Sequence, residues 1–156
     1  MIVYRCALKK WSKDLSGQGA FMYGGRWNSP GVYMLYTAEN NVLAALEVAL
    51  RIPLEHISKD YWMVPIDVRG EVKFEEPSLP KSWNLKSDVT RSVGDDFIKK
   101  ANALAMKVPS ALISDAFNYL INPKHPDIRK VKVLEPRPIL FDKRLMEMIR
   151  VHNRGQ

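Results

Sequence analysis

Residues 24–51 read GGRWNSPGVYMLYTAENNVLAALEVALR, and three kinds of local order follow one another within them. Gly24 and Gly25 permit positive φ and close approach of backbone to a ligand. Arg26 then projects from a turn fixed by Pro30 and Gly31. Val32 to Tyr36 is apolar and β-rich, the composition of a core strand. From Asn40 to Arg51 the period becomes helical. Val42, Leu43, Leu46, Ala49 and Leu50 make an apolar face, Thr37 or Asn40 is available as the cap, and Pro53 ends the helix.

Working outward, Ile2 to Leu8 reads as a strand with Ile2, Tyr4, Cys6 and Leu8 on one face and Val3, Arg5 and Ala7 on the other. The connection from Lys9 to Gly31 is long and rich in glycine, a pattern more often functional than idle inside a compact domain. Tyr61 to Asp67 and Val72 to Phe74 are strand candidates on either side of a turn at Arg69-Gly70. Glu75 to Thr90 is polar, with Pro77 and Pro80, and reads as a surface loop. Ser92 to Met106 returns to helical period with Val93, Phe97, Ala101, Leu104 and Ala105 inward, stopped by Pro109. Ala111 to Ile113, Val131 to Leu134 and Ile139 to Phe141 are further short strands, and Asp142 caps a last helix through Ile149. There is no internal repeat and no sign of a second domain, so 1–156 is expected to be one unit. Strands and helices mix without βαβ regularity, which favours an α+β fold.

Bulk properties narrow the function class. A chain of 156 residues, 46% hydrophobic and 26% charged, can bury a full core without disulfide staples. No apolar run approaches the ~18–20 residues needed to cross a bilayer. The segment Met1 to Leu8 lacks the features of a signal peptide, and a lone cysteine, Cys6, excludes an intramolecular disulfide. These point to the cytoplasm. His56, His125 and His152 are scattered, with no zinc-type spacing, and neither a Walker loop nor a G-x-G-x-x-G occurs. No metal is therefore expected. The net charge of +7 is uneven, since residues 124–156 hold nine Lys/Arg against four acids. Such a bias suits an anionic partner, whether nucleic acid, a phosphorylated small molecule or an acidic protein, and equally suits a solvated face. A nucleic-acid-binding module is a distant alternative, because no groove-reading motif accompanies the charge.

The candidates for chemistry are few. Arg26 is placed to grip phosphate or carboxylate oxygens in a bidentate way, or to stack on Trp27 in a tight structural loop. Glu47 is the only charge in Leu43–Leu50; it is either buried and partnered or on the exposed stripe of its helix with Asn40 and Ala44. Ser110 lies between a proline stop and an apolar stretch, where a turn serine is the default. Asn118 and Asn122 sit with His125 among turn formers, a pattern that also suits a structural turn. Arg5 in a first strand and Tyr36 closing another fit half-buried residues with polar tips in water.

In chain order, Arg5; Ser16-Gly17-Gln18-Gly19-Ala20; Gly24 to Gly31; Tyr36-Thr37; Leu46-Glu47; Val108-Pro109-Ser110-Ala111; Asn118-Tyr119-Leu120; Asn122-Pro123; His125-Pro126; and Phe141-Asp142 resemble the RES domain, with Lys107 standing where the pattern has Arg. The resemblance covers nearly the whole chain. It implies an ADP-ribosyltransferase-like fold, a split and mostly antiparallel β core with helices around an NAD+ cleft. It also implies a toxin of a type II toxin–antitoxin module that degrades NAD+ by hydrolysis or phosphorolysis, or transfers ADP-ribose to a protein. The implied partner is an Xre-family antitoxin with a toxin-binding domain. DNA would be reached only through that antitoxin, no membrane would be involved, and a homodimer within the complex is an option. The site residues it implies are Glu47, Arg26 and Ser110 for catalysis, and Arg5, Arg26, Tyr36 and Asn118 for holding NAD+.

Overall fold

The computed structural model describes residues 1–51, 60–145 and 147. Eight strands are formed: β1 (Ile2–Leu8), β2 (Leu35–Ala38), β3 (Tyr61–Val68), β4 (Phe74–Glu75), β5 (Ala105–Pro109), β6 (Phe117–Ile121), β7 (Val131–Val133) and β8 (Arg137–Pro138). Three α-helices lie wholly among the described residues, α1 (Gln18–Tyr23), α2 (Asn41–Ala49) and α3 (Ser87–Lys100), and residues 143–145 and 147 are also helical. The fold is α+β, as the sequence indicates. One sheet runs β4-β5-β6-β2-β1-β3-β7, with β8 also against β3. Every pair is antiparallel except the short β4–β5 contact.

Alternation along the strands sorts the core into two faces. Val3 and Ala7 of β1, Val64, Ile66 and Val68 of β3, Ala105 of β5 and Ile121 of β6 share one buried cluster that draws no residue from α1, α2 or α3. The sheet therefore curls over its own apolar face. On the other face, Met106, Val108 and Leu120 pack with Phe97 of α3, while Ala38 and Met63 pack with Leu43 and Ala44 of α2. Asn40 caps α2, its side chain accepting from the Leu43 N–H at 2.8 Å.

The sheet is nearly divided in two at its centre. β1 and β3 pair along their whole length, from Ile2↔Asp67 to Leu8↔Tyr61, whereas β1 and β2 share the single register pair Tyr4↔Ala38. Beyond that pair the two strands part, and this gap positions the site.

Several elements differ from the sequence expectation. The strand expected at Val32 to Tyr36 begins at Leu35, after a loop that bonds back to Ser29 through the Val32 N–H. The Lys9–Gly31 connection contains α1. α3 starts at Ser87, inside the expected loop, and stops at Lys100, where Ala101 turns left-handed (φ 47°). Leu104 to Met106, expected to be helical, lead into and form β5, because pairing with β6 outweighs the helix propensity of Ala, Leu and Met. The strand expected at Ala111 to Ile113 is a bend held by Ser110, and the first part of the Asn118–Pro126 stretch, for which a structural turn is the plain reading, belongs to the central strand Phe117–Ile121. Strand pairing of the Ile139 region falls instead on Arg137–Pro138. Asp142 accepts from the Arg144 N–H at 2.8 Å, as a cap would. Pro53, His56, His152 and the end of the last expected helix lie outside the described residues.

Candidate active site

Where β1 and β2 part, the positions that would have continued their ladder become the walls of a cleft. Tyr4, Arg5 and Cys6 line it from β1, Tyr36, Thr37 and Ala38 from β2, and Asn118 from β6. α2 closes one side with Ala44, Glu47 and Val48, and Arg51, just past its end, continues the same stripe. Arg26 and Trp27 enter from the Gly24–Gly31 loop, and Ala111 completes the lining. The volume of this open cleft is about 150 Å³. That is below the ~300 Å³ at which pockets begin to enclose a whole drug-sized ligand.

Glu47 thus lies neither in the core nor toward bulk water. Its Oε1 accepts from Asn118 Nδ2 at 2.8 Å, and its Oε2 faces Arg51 Nη2 at 3.4 Å. Its side chain keeps 20% exposure, against 53% for Arg51. The pairing with Arg51 is long and open to water, so a ligand displaces it at little cost. The amide of Asn118 fixes the carboxylate's direction.

Tyr36 sits at the junction of the cleft and the glycine loop. Its hydroxyl donates to Asn28 Oδ1 at 2.7 Å and accepts from the Trp27 N–H at 3.0 Å. Burial pushes this hydroxyl up to about 12, so it stays protonated through the physiological range and its ring serves as a wall. Gly25 is required behind it, since a Cβ there would collide with the Tyr36 hydroxyl. Asn28, fully buried, donates through Nδ2 to the carbonyls of Ala20, Ser29 and Val32. The Trp27 ring is buried and meets Trp83 with centroids 5.6 Å apart. The Arg26 guanidinium reaches the Asn84 carbonyl at 2.9 Å rather than stacking on its neighbour.

Arg5 is held from β1 by the carbonyls of Asp14 (2.6 Å) and Trp11 (3.1 Å), which tie the start of the Lys9–Gly31 connection to the sheet. Burial lowers its pKa, an effect that the Asp14 carboxylate opposes. Two of its five N–H donors are used in this way. Cys6 beside it is a free thiol that burial pushes up to about 12, keeping it protonated.

Of the residues singled out in the sequence, Arg5, Arg26, Tyr36, Glu47 and Asn118 line this one cleft. Ser110 does not. It is buried, with its Oγ accepting from the N–H groups of Leu112 (3.0 Å) and Ile113 (3.4 Å), and it shapes the bend that delivers Ala111 to the wall. Arg51 was missed. Its signal was available, as a cation four residues after an acid on one helix. Among the described residues no three His, Cys, Asp or Glu side chains converge to hold a metal, and no helix is long and apolar enough to cross a membrane.

The RES domain pattern matches residues 2–142. The chain belongs to the RES-domain family. Relatives of this RES domain include the Prs ADP-ribosylating toxin of Sphingobium sp. (strain YBL2), 34% identical over 140 residues that span 85% of this chain and 87% of that protein. Toxin Res of Pseudomonas putida (strain KT2440) is 32% identical over 123 residues, 77% of this chain and 85% of the relative. Among solved structures, a chain of the M. tuberculosis MbcT–MbcA toxin–antitoxin complex superposes with a TM-score of 0.71 over 96% of this RES domain and 88% of that chain. Their sequences are 17% identical, so the likeness is one of fold.

Proposed function

We propose that this RES domain is a toxin that breaks the nicotinamide–ribose bond of NAD+. The observation that carries the reading is the parted β1–β2 seam, where one carboxylate, Glu47, lines a cleft together with Arg5, Arg26 and Arg51. NAD+ has matching halves, a cationic ring on a ribose at one end and an anionic diphosphate beyond it.

The chemistry asks little of the protein. The C1′–N bond breaks with its electron pair passing to the ring nitrogen, so nicotinamide leaves neutral and needs no proton. The barrier is set by an oxocarbenium-like ribose, as in glycoside cleavage. Glu47 stabilises that positive charge and bonds a ribose hydroxyl. Arg26 and Arg5 hold the diphosphate, Tyr36 bounds the nicotinamide, and Asn118 keeps Glu47 aimed. Ser110 acts on ribose or amide position through the bend at Ala111. An oxygen of water or phosphate then bonds C1′, and the proton of water is lost to solvent. No metal enters this scheme.

The name of the Sphingobium relative favours a second reading in which a protein side chain is the acceptor. Labelled NAD+ separates the outcomes. Free ADP-ribose marks hydrolysis, ADP-ribose 1″-phosphate marks phosphorolysis, and protein-bound label marks transfer. Glu47→Gln should fold normally yet lose about 10²–10³-fold in NAD+ cleavage, together with toxicity; wild-type turnover in that variant would remove Glu47 from the mechanism. The toxin–antitoxin title of the solved neighbour supports an antitoxin partner as well. We place it, as an Xre-family protein, over the cleft, in the cytoplasm. A complex that cleaves NAD+ as fast as the free chain would refute that placement.

A further inference from the structure

The structure assigns a positioning role to α3, which contributes no residue to the cleft wall: Asp95 and Arg91 hold the Gly24–Gly31 loop so that Arg26 and Trp27 stand at the cleft. The part played by Arg26 rests on the NAD+ reading above.

Four residues of α3 contact four successive parts of the loop. Arg91 Nε donates to the Gly25 carbonyl at 3.0 Å, and the Thr90 hydroxyl donates to the Arg26 carbonyl at 2.6 Å. Gly94 lies so close to the Trp27 carbonyl that a Cβ would collide with it. Asp95 takes both donors of Ser29, the backbone N–H at 2.9 Å and the hydroxyl at 2.6 Å. Positions 90, 91, 94 and 95 form one face over two turns of helix. Covering a loop needs apolar contact alone. Here a carboxylate and a guanidinium read the backbone directly, and charge-assisted bonds are shorter and stiffer than neutral ones. Stiffness matters at a binding group, because a displacement of ~1 Å can cost about 10²-fold. Arg26 has its own backbone gripped from α3 while its guanidinium is free to turn from Asn84 toward a ligand.

The test is steady-state NAD+ kinetics on the full chain as wild type, Asp95→Ala, Asp95→Asn, Arg26→Ala and the Asp95→Ala/Arg26→Ala pair. Asp95→Ala should raise KM about 10-fold with kcat within about twofold, because binding geometry is lost and Glu47 is untouched. Asn keeps one acceptor and should restore most of that loss. In the Arg26→Ala background the same change should move KM less than about twofold, since no guanidinium remains to be misplaced. A structural role alone lowers the active fraction and leaves KM where it was, so an unchanged KM overturns the inference. Equal KM increases in both backgrounds overturn it too. If Asp95→Ala does not fold, Arg91→Ala, which removes the bond to the Gly25 carbonyl, carries the same comparison in both backgrounds. A readout independent of turnover is the NMR signal of the Trp27 indole and Arg26 Nε–H. Both should shift in the Asp95 variants, and unmoved signals count against the role. Moved signals in a chain that neither binds nor cleaves NAD+ would sink the proposed function and leave the positioning inference standing.

Discussion

Tyr36 shows how one side chain serves both the fold and the site. Its hydroxyl satisfies the Trp27 N–H and Asn28 Oδ1, so Tyr36→Phe leaves two buried polar groups without a partner. We expect a loss of about 1–3 kcal/mol in urea unfolding, larger than a surface substitution gives. The pH dependence follows from the same burial. The folded-state pKa of Tyr36 is pushed from 10.0 up to about 12, and that of Cys6 from 9.0 up to about 12. A raised folded value means that the folded chain keeps a proton the unfolded chain releases, so the contribution of these groups is complete below pH 9 and falls as pH rises toward 12. Urea midpoints measured from pH 8 to 11 should decline through this window. Cys6→Ala should flatten the fall that begins near pH 9, and Tyr36→Phe the part above pH 10. An unaltered profile in both variants would contradict the burial argument. Chemical identity singled out an arginine in a glycine loop and a single acid in an apolar helix, and both line the cleft. Ser110, whose default reading is a turn serine, stands in the turn behind the wall, a distinction that only coordinates make.

At the level of elements, α3 is the instructive case. Gly94→Ala in an exposed helix would gain up to about 1 kcal/mol from propensity. Here the added methyl meets the Trp27 carbonyl, so the sign reverses. Thermal unfolding of Gly94→Ala should show a lower Tm than wild type, and an increase would mean that α3 and the loop are not in contact as described. Asn40→Ala removes the side-chain cap of α2 and should cost about 0.5–2 kcal/mol. The helix α2 was legible because its cap, apolar face and length all agree. The C-terminal half of α3 was legible for its period, but its ends were not. Polar Ser87 to Thr90 look like loop, and the residues after Ala101 look like helix, until β6 is available to pair with β5. β6 itself was hidden because Asn118 and the turn residues after it mask a five-residue strand.

For the whole molecule, the decisive feature is a sheet that holds together along β1–β3 and opens at β1–β2. The α+β class followed from element order, whereas the point of opening did not, because strand register is set by partners distant in sequence. A ligand bound in that opening ties the two halves of the sheet together. With Glu47→Gln to spare the substrate, NAD+ at 100 times its Kd should stabilise the chain by about 2.7 kcal/mol in a thermal shift assay. No shift at saturating NAD+ would argue that the dinucleotide goes elsewhere. The charges around the opening also dictate an order of departure. Arg5, Arg26 and Arg51 line the opening together with one carboxylate, Glu47, and on the NAD+ reading, once the pyridinium has gone, what remains of the substrate is more anionic than before. Nicotinamide should therefore exit first and ADP-ribose linger, competing with fresh NAD+. An auxiliary enzyme that consumes ADP-ribose would then lengthen the linear phase of the reaction.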